Sequence, residues 1–130
     1  MRTLSILFSI YALLICMSCN EDNAQSYSNE PPVVNLTSQE ITVTPGSTAS
    51  IQGQVTDDFG VKFLTIFSGA LDINAQIDVS TRNEIRSSYQ LNYSLEVPQD
   101  LSGDEYTIQI SAKNLTGQVT NRNIRLIVNQ

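Results

Sequence analysis

From Tyr106 to Val128 apolar and polar side chains alternate so regularly that paired β-strands are the one regular structure that accommodates them. Tyr106, Ile108, Ile110 and Ala112 are interleaved with Thr107, Gln109, Ser111 and Lys113, a period of two that sets one apolar row against a core. Asn114-Leu-Thr-Gly117 supplies a turn, and Ile124, Leu126 and Val128 then alternate with Arg125 and Ile127 in a returning strand.

The same period recurs upstream. Tyr89, Leu91, Tyr93, Leu95 and Val97 form one row, and Leu71, Ile73, Ala75, Ile77 and Val79 another that runs without a break. Ala49, Ile51, Gly53 and Val55 form a third, whose glycine marks either a bulge or a close crossing. Short strands are expected at Val33–Leu36 and Glu40–Thr44, with turns at Pro45-Gly46 and Asp57-Asp-Phe-Gly60. Val61 to Ser68 is apolar on both faces: Leu64 and Ile66 fit one, while Phe63, Thr65 and Phe67 fall on the other. The pattern predicts about seven to eight strands packed as an all-β, antiparallel two-sheet sandwich.

With 130 residues the chain has room for one ordinary domain. Charged residues are sparse at 15%, against about 25% in ordinary soluble proteins, and Ser, Thr, Asn and Gln take their place. A net charge of −6 with no Lys/Arg cluster argues against nucleic acid, whose phosphates need a concentrated positive surface. The sequence contains no His, so the commonest general base and the commonest zinc ligand are missing. No phosphate loop, metal spacing or nucleophile with its base is legible, so the expectation is a protein that is not an enzyme and takes no cofactor.

The N-terminus reads as an export signal. Met1-Arg-Thr precedes the apolar run Leu4 to Met17, shorter than the roughly 20 residues of a membrane-spanning helix. Ser18-Cys19 and the polar stretch Asn20-Glu-Asp-Asn-Ala-Gln-Ser26 follow at once. This resembles the bacterial lipoprotein signal, in which the cysteine becomes the acylated first residue of the mature protein. Cys16 and Ser18 hold the places where the usual pattern has Leu and Ala or Gly, and such loose boxes resemble those of Bacteroidetes-type lipoproteins. The resemblance implies a signal peptide over residues 1–18, lipidation with palmitate at Cys19, a flexible linker over 19–31 and a domain over 32–130. Glu21-Asp22 resembles the tag that sends such lipoproteins to the outer face of the outer membrane.

Within the domain, Asp57-Asp-Phe-Gly-Val-Lys-Phe-Leu-Thr-Ile66, the Val97-Pro98 ending of a long strand and Gly103-Asp-Glu-Tyr-Thr-Ile-Gln-Ile-Ser-Ala-Lys-Asn-Leu-Thr-Gly117 resemble bacterial immunoglobulin-like and cadherin-like modules. The resemblance covers residues 32–129. It implies an A/A′ pair at the start, strand B at Ala49–Val55, C at Val61–Ser68, C′ or D at Leu71–Val79, E at Tyr89–Val97, and F and G from Tyr106 onward. It also implies a structural tyrosine corner at Tyr106. Cadherin-like relatives bind calcium with loop carboxylates, so Asp57, Asp58 and Asp104, with Glu105, are the metal alternative. Against it, Asn114 stands where the calcium-binding relatives carry aspartate, and turn carboxylates ordinarily bond nearby N–H groups.

Phe63, Thr65 and Phe67 form the candidate partner face. Either the chain between Asn74 and Ser88 covers the two rings or they form an apolar patch for a partner. Covering is expected here, above all at Phe63, with the row from Leu71 to Val79 supplying it. The functional expectation is a non-catalytic cell-envelope lipoprotein whose domain binds or spaces an envelope protein or glycan and meets the membrane through its lipid anchor. The competing expectation is a glycan-binding accessory of an outer-membrane polysaccharide uptake system.

Overall fold

The computed structural model describes residues 29–103 and 105–129; Cys16, Cys19, Glu21, Asp22 and Asp104 lie outside the described residues. The strands are β1 (Val33–Leu36), β2 (Glu40–Val43), β3 (Thr48–Thr56), β4 (Val61–Ser68), β5 (Ile73–Asp78), β6 (Ser88–Glu96), β7 (Glu105–Asn114) and β8 (Val119–Val128). They form a three-stranded sheet in the order β1-β3-β6 and a five-stranded sheet in the order β2-β8-β7-β4-β5.

Each alternating run delivers its apolar row to the space between the sheets. Ile51, Val55 and Leu91 from the smaller sheet meet Leu64, Ile66, Ile108, Ile110, Ile124 and Leu126 from the larger, all essentially without solvent contact. Burial of each such side chain is worth about 1.5–3 kcal/mol, so this shared core is what joins the layers. On β4 the register shifts between Val61 and Phe63, a bulge that lets Val61, Leu64 and Ile66 all face inward despite their uneven spacing.

The first two strands do not pair with each other. β1 runs antiparallel to β3, and after Leu36 the chain crosses to the other sheet, where β2 lies parallel to β8. Parallel pairing in an otherwise antiparallel sandwich follows from that crossing, because the chain changes sheet without reversing direction. The crossing is close: a Cβ on Gly53 would stand 2.6 Å from the Asn35 carbonyl oxygen and 3.1 Å from Leu36 Cα. The ladder of β3 continues through Gly53 without a bulge, so close approach is what the glycine serves.

The run Leu71–Val79 is interrupted, contrary to expectation. A 3-10 turn at Gly69–Leu71 reverses the chain, and Asp72, at φ 53°, takes the left-handed conformation that Asp tolerates better than most residues. Leu71 is nonetheless buried, so the apolar row survives the break in the strand. β5 pairs with β4 and thereby takes the C′ position. β6 is consequently an edge of the smaller sheet.

Candidate functional site

The outer face of the five-stranded sheet is the candidate site, and its make-up follows from register. Paired residues point to the same side of a sheet, so the inward residues Leu64, Ile66 and Ser68 carry Ile77, Ala75 and Ile73 of β5 inward with them. The outward residues Phe63, Thr65 and Phe67 are matched by Asp78, Gln76 and Asn74. The apolar row of β5 therefore lines the core beside β4 and cannot cover the two rings, which corrects the expected covering. Phe67 is 49% exposed. Phe63 is partly buried, but under Lys113 of β7, whose Nζ stands 5.8 Å from the ring centre in a cation–π contact.

Three rows cross this face over β5, β4, β7 and β8. The first is Asn74, Phe67, Gln109 and Asn123; the second is Gln76, Thr65, Ser111 and Asn121; the third is Asp78, Phe63, Lys113 and Val119. The first two rows contain no charge. Beyond the first row Arg125 bonds Glu40 and lies 3.6 Å from Glu105, so that margin is internally neutralised. The hydrogen bond to Glu40, with the added charge of Glu105, raises the Arg125 guanidinium above its ordinary pKa. A shallow open depression of about 300 Å³ lies at the Phe67 end, lined by Phe67, Gly69, Thr107, Gln109 and Asn123 among others.

The remaining sequence candidates fall elsewhere. The Tyr106 hydroxyl donates to the Ser102 carbonyl at 2.6 Å while its ring packs partly buried against the core, the arrangement of a tyrosine corner. Asp57 sits in the β3–β4 turn, where one carboxylate oxygen accepts from the Phe59 N–H at 2.9 Å and the other from Asn114 Nδ2 at 3.0 Å. Asp58 is exposed in the same turn. Glu105 begins the strand that Asn114 ends, so the full length of β7 separates it from Asp57, and Asp104 lies outside the described residues. Of the carboxylates named as the calcium alternative, the described ones thus lie at opposite ends of β7, and among the described residues no group of three or more acidic, His or Cys side chains could hold a metal ion. Chelation with millimolar EGTA is expected to leave the melting temperature unchanged within about 1 °C in a thermal scan, since only a ligand that binds the native state shifts stability. A fall of several degrees would reinstate the metal.

Asn114 has a role that its place in the sequence did not disclose. Fully buried, it also donates to the Glu30 carbonyl at 3.2 Å and accepts from the Thr116 hydroxyl and the Gln118 N–H, both at 2.8 Å. The Thr116 hydroxyl also stands 2.6 Å from Asn29 Oδ1, its single hydrogen shared between the two asparagines, and Thr120 donates to the Pro32 carbonyl at 2.5 Å. These bonds fix the arriving N-terminal segment to the end of the sandwich formed by the β3–β4 and β7–β8 turns.

Comparison with solved structures yields sandwiches of the same kind. The fibronectin(III)-like modules of Clostridium thermocellum CbhA match with a TM-score of 0.52 at 11% identity, over 74% of this chain and 94% of theirs. The fold is immunoglobulin-like. A nucleoside hydrolase-related hypothetical protein from Saccharophagus degradans, described as associated with carbohydrate metabolism, matches with a TM-score of 0.53 at 16% identity. That match covers 78% of this chain but only 26% of the other protein. Murine CRIg matches over 78% of this chain and 100% of its own, with a TM-score of 0.47 at 11% identity. No protein-family model and no curated protein sequence matches the chain. At these identities the immunoglobulin-like likeness is one of fold.

Proposed function

We propose that this chain is a non-catalytic lipoprotein of the bacterial outer membrane, in which the immunoglobulin-like domain is held on a lipid tether as a binding or spacer module, displayed at the cell surface. The observation that carries the reading is the passage from Ser18-Cys19 into the polar stretch Asn20–Glu30, which leads straight to the domain. Eleven residues reach at most about 40 Å when extended. The bonds from Asn114, Thr116 and Thr120 to Asn29, Glu30 and Pro32 support it further, since they seat the start of the domain at one end of the sandwich, where a tether would pull. The want of any His in the sequence supports a non-catalytic role. A second reading, an accessory of an outer-membrane polysaccharide uptake system, requires in addition a carbohydrate site and an adjacent transporter pair in the genome.

The test is Cys19→Ala with cell fractionation and palmitate labelling. The wild-type chain is expected in the membrane pellet and labelled, and the variant unlabelled and soluble, because about 0.8 kcal/mol per buried CH₂ disappears along whole acyl chains. An intact, unlabelled variant that still sediments with membranes would refute the anchor.

A further inference from the structure

We infer that the outer face of the five-stranded sheet is a binding site for a neutral carbohydrate chain, with the Phe67 ring as its stacking platform and the side chains of Asn74, Gln109 and Asn123 as its hydrogen-bonding partners. The inference rests on reading the domain as a binding module and names what that module binds.

A sugar ring has two chemical aspects. One flat side carries C–H groups and stacks on an aromatic ring; the rim carries hydroxyls, each a donor and an acceptor at once. The complementary surface is one exposed aromatic ring surrounded by groups that both donate and accept, with no charge to prefer an ionised ligand. Phe67 stands in a row of Asn74, Gln109 and Asn123, and the neighbouring row adds Gln76, Thr65, Ser111 and Asn121. Strands about 4.8 Å apart make this an elongated strip across the sheet, fitted to a short run of sugar units rather than to one.

The Phe67 row differs from the other outward rows in what its polar groups are doing. On the smaller sheet Ser50 donates to Asn92 at 3.1 Å, Gln54 to Ser88 at 3.3 Å, and Gln90 to the Gly53 carbonyl at 2.9 Å. Those side chains are knitted together, and no aromatic side chain stands outward among them. On the larger sheet the second row is tied in the same way, Ser111 donating to Asn121 at 2.6 Å and Gln76 to Asp78 at 2.9 Å, whereas in the first row the Asn74, Gln109 and Asn123 side chains make no hydrogen bond within the described residues. They project from the paired strands β5, β7 and β8, so little backbone order has to be gained on binding. At the edge of the ring a Gly69 Cβ would be 3.7 Å from Phe67 Cζ, and the absence of a side chain there leaves the approach to the depression open.

Competing occupants fit less well. An acidic polymer would meet no cation in the two rows themselves: Arg125, beyond the first, is committed to Glu40 and Glu105, and Lys113 stands in the third row, over Phe63. A protein partner needs a desolvated apolar centre within about 800 Å² of contact on its side, and these two rows offer one ring.

The test is affinity electrophoresis of the full-length chain in detergent, through native gels containing hydroxyethyl cellulose, xylan, galactomannan or soluble starch, with polygalacturonate as the charged control. At least one neutral polymer is expected to retard the wild type, and polygalacturonate is not. Phe67→Ala should weaken that retardation about tenfold or more, the loss usual for a central aromatic contact. Phe67→Leu, which keeps apolar area without a π-face, should do the same, and Phe67→Tyr should retain binding. The double variant Gln109→Ala/Asn123→Ala should weaken it independently of the ring. Thermal melts of Phe67→Ala should stay within about 2 °C of wild type, as surface changes do. The inference is overturned if no neutral polymer retards the wild type, if only polygalacturonate does, or if Phe67→Ala and the double variant are both retarded as strongly as wild type. Electrophoresis of solubilised protein is independent of Cys19: loss of binding leaves the membrane result standing, and a soluble chain that binds sugar overturns the anchor alone.

Discussion

Replacement of Asn114 by alanine is expected to lower the unfolding free energy by about 2–4 kcal/mol, from a total of about 5–15 kcal/mol for a domain of this size. The side chain has no solvent contact and makes four hydrogen bonds, donating to Asp57 and Glu30 and accepting from Thr116 and Gln118. Alanine removes all four. Glu30 and Thr116 are exposed and regain water, so their loss is small. The Asp57 carboxylate is only 8% exposed and keeps the Phe59 N–H as its other donor, so most of the cost falls there. A buried polar group left without its partner costs about 1–3 kcal/mol, and more when it is charged. Asn114→Asp separates this account from simple loss of volume. It puts a second carboxyl where the donor stood, so in the folded state one of the pair must hold a proton and the new group's pKa rises above its unfolded value. A group raised in this way stabilises fully below the unfolded carboxylate range, about 4, and loses that contribution as pH rises through the folded value. Urea melts should therefore show a larger deficit of Asn114→Asp against wild type at pH 7.5 than at pH 4. Equal deficits at the two pH values would mean that Asp57 does not depend on the amide.

The contrast between Asn114 and the strands around it shows what a sequence discloses. Period-two alternation is local, so β6 and β7 are legible residue by residue from Tyr89–Val97 and Tyr106–Lys113. Which strand lies beside which is not local. The row Ile73, Ala75, Ile77 reads as apolar cover for Phe63 and Phe67, but it faces the core because β5 joins the same sheet as β4 in register. Of the strip Asn74, Phe67, Gln109, Asn123 only Phe67 stood out in the sequence, as an outward ring on a double-faced strand; the other three are ordinary outward positions, and only the order β5-β4-β7-β8 sets the four in line. The A/A′ start came from the resemblance and not from alternation: β1 lies beside β3 and β2 runs parallel to β8 in the other sheet, a division that the two short apolar runs on either side of Thr37–Gln39 do not reveal by themselves. Asn114 read as a missing calcium ligand because its resemblance pointed to a metal, whereas its partners include a backbone carbonyl at the far end of the chain.

Gly53→Val is expected to cost about 2–4 kcal/mol, at or above the upper end of ordinary overpacking, because what it strikes is backbone. A Cβ there would stand 2.6 Å from the Asn35 carbonyl oxygen and 3.1 Å from Leu36 Cα, and neither atom can rotate aside as a side chain would. Gly53 pairs with Leu36 at the last residue of β1 and with Leu91 of β6, and the Thr37 N–H bonds the Gln52 carbonyl at 2.9 Å just where the chain departs for the other sheet. Room for the Cβ comes only by lifting β1 from β3, which uncovers Val34, now 4% exposed, and strains the short link to β2 and its parallel pairing with β8. Gly117 provides the opposite case: its φ is +96° but nothing lies within 4 Å of a Cβ, so Gly117→Ala pays in backbone strain alone, about 1–2 kcal/mol. Since the Gly53 clash begins at Cβ, Gly53→Ala should already destabilise, partly offset by the roughly 0.4–1 kcal/mol that alanine gains by restricting the unfolded chain. Urea denaturation of the three variants should therefore place Gly53→Val lowest. If Gly53→Val instead unfolds within about 0.5 kcal/mol of wild type, as an ordinary surface change does, the crossing of β1 over β3 is not held at this residue.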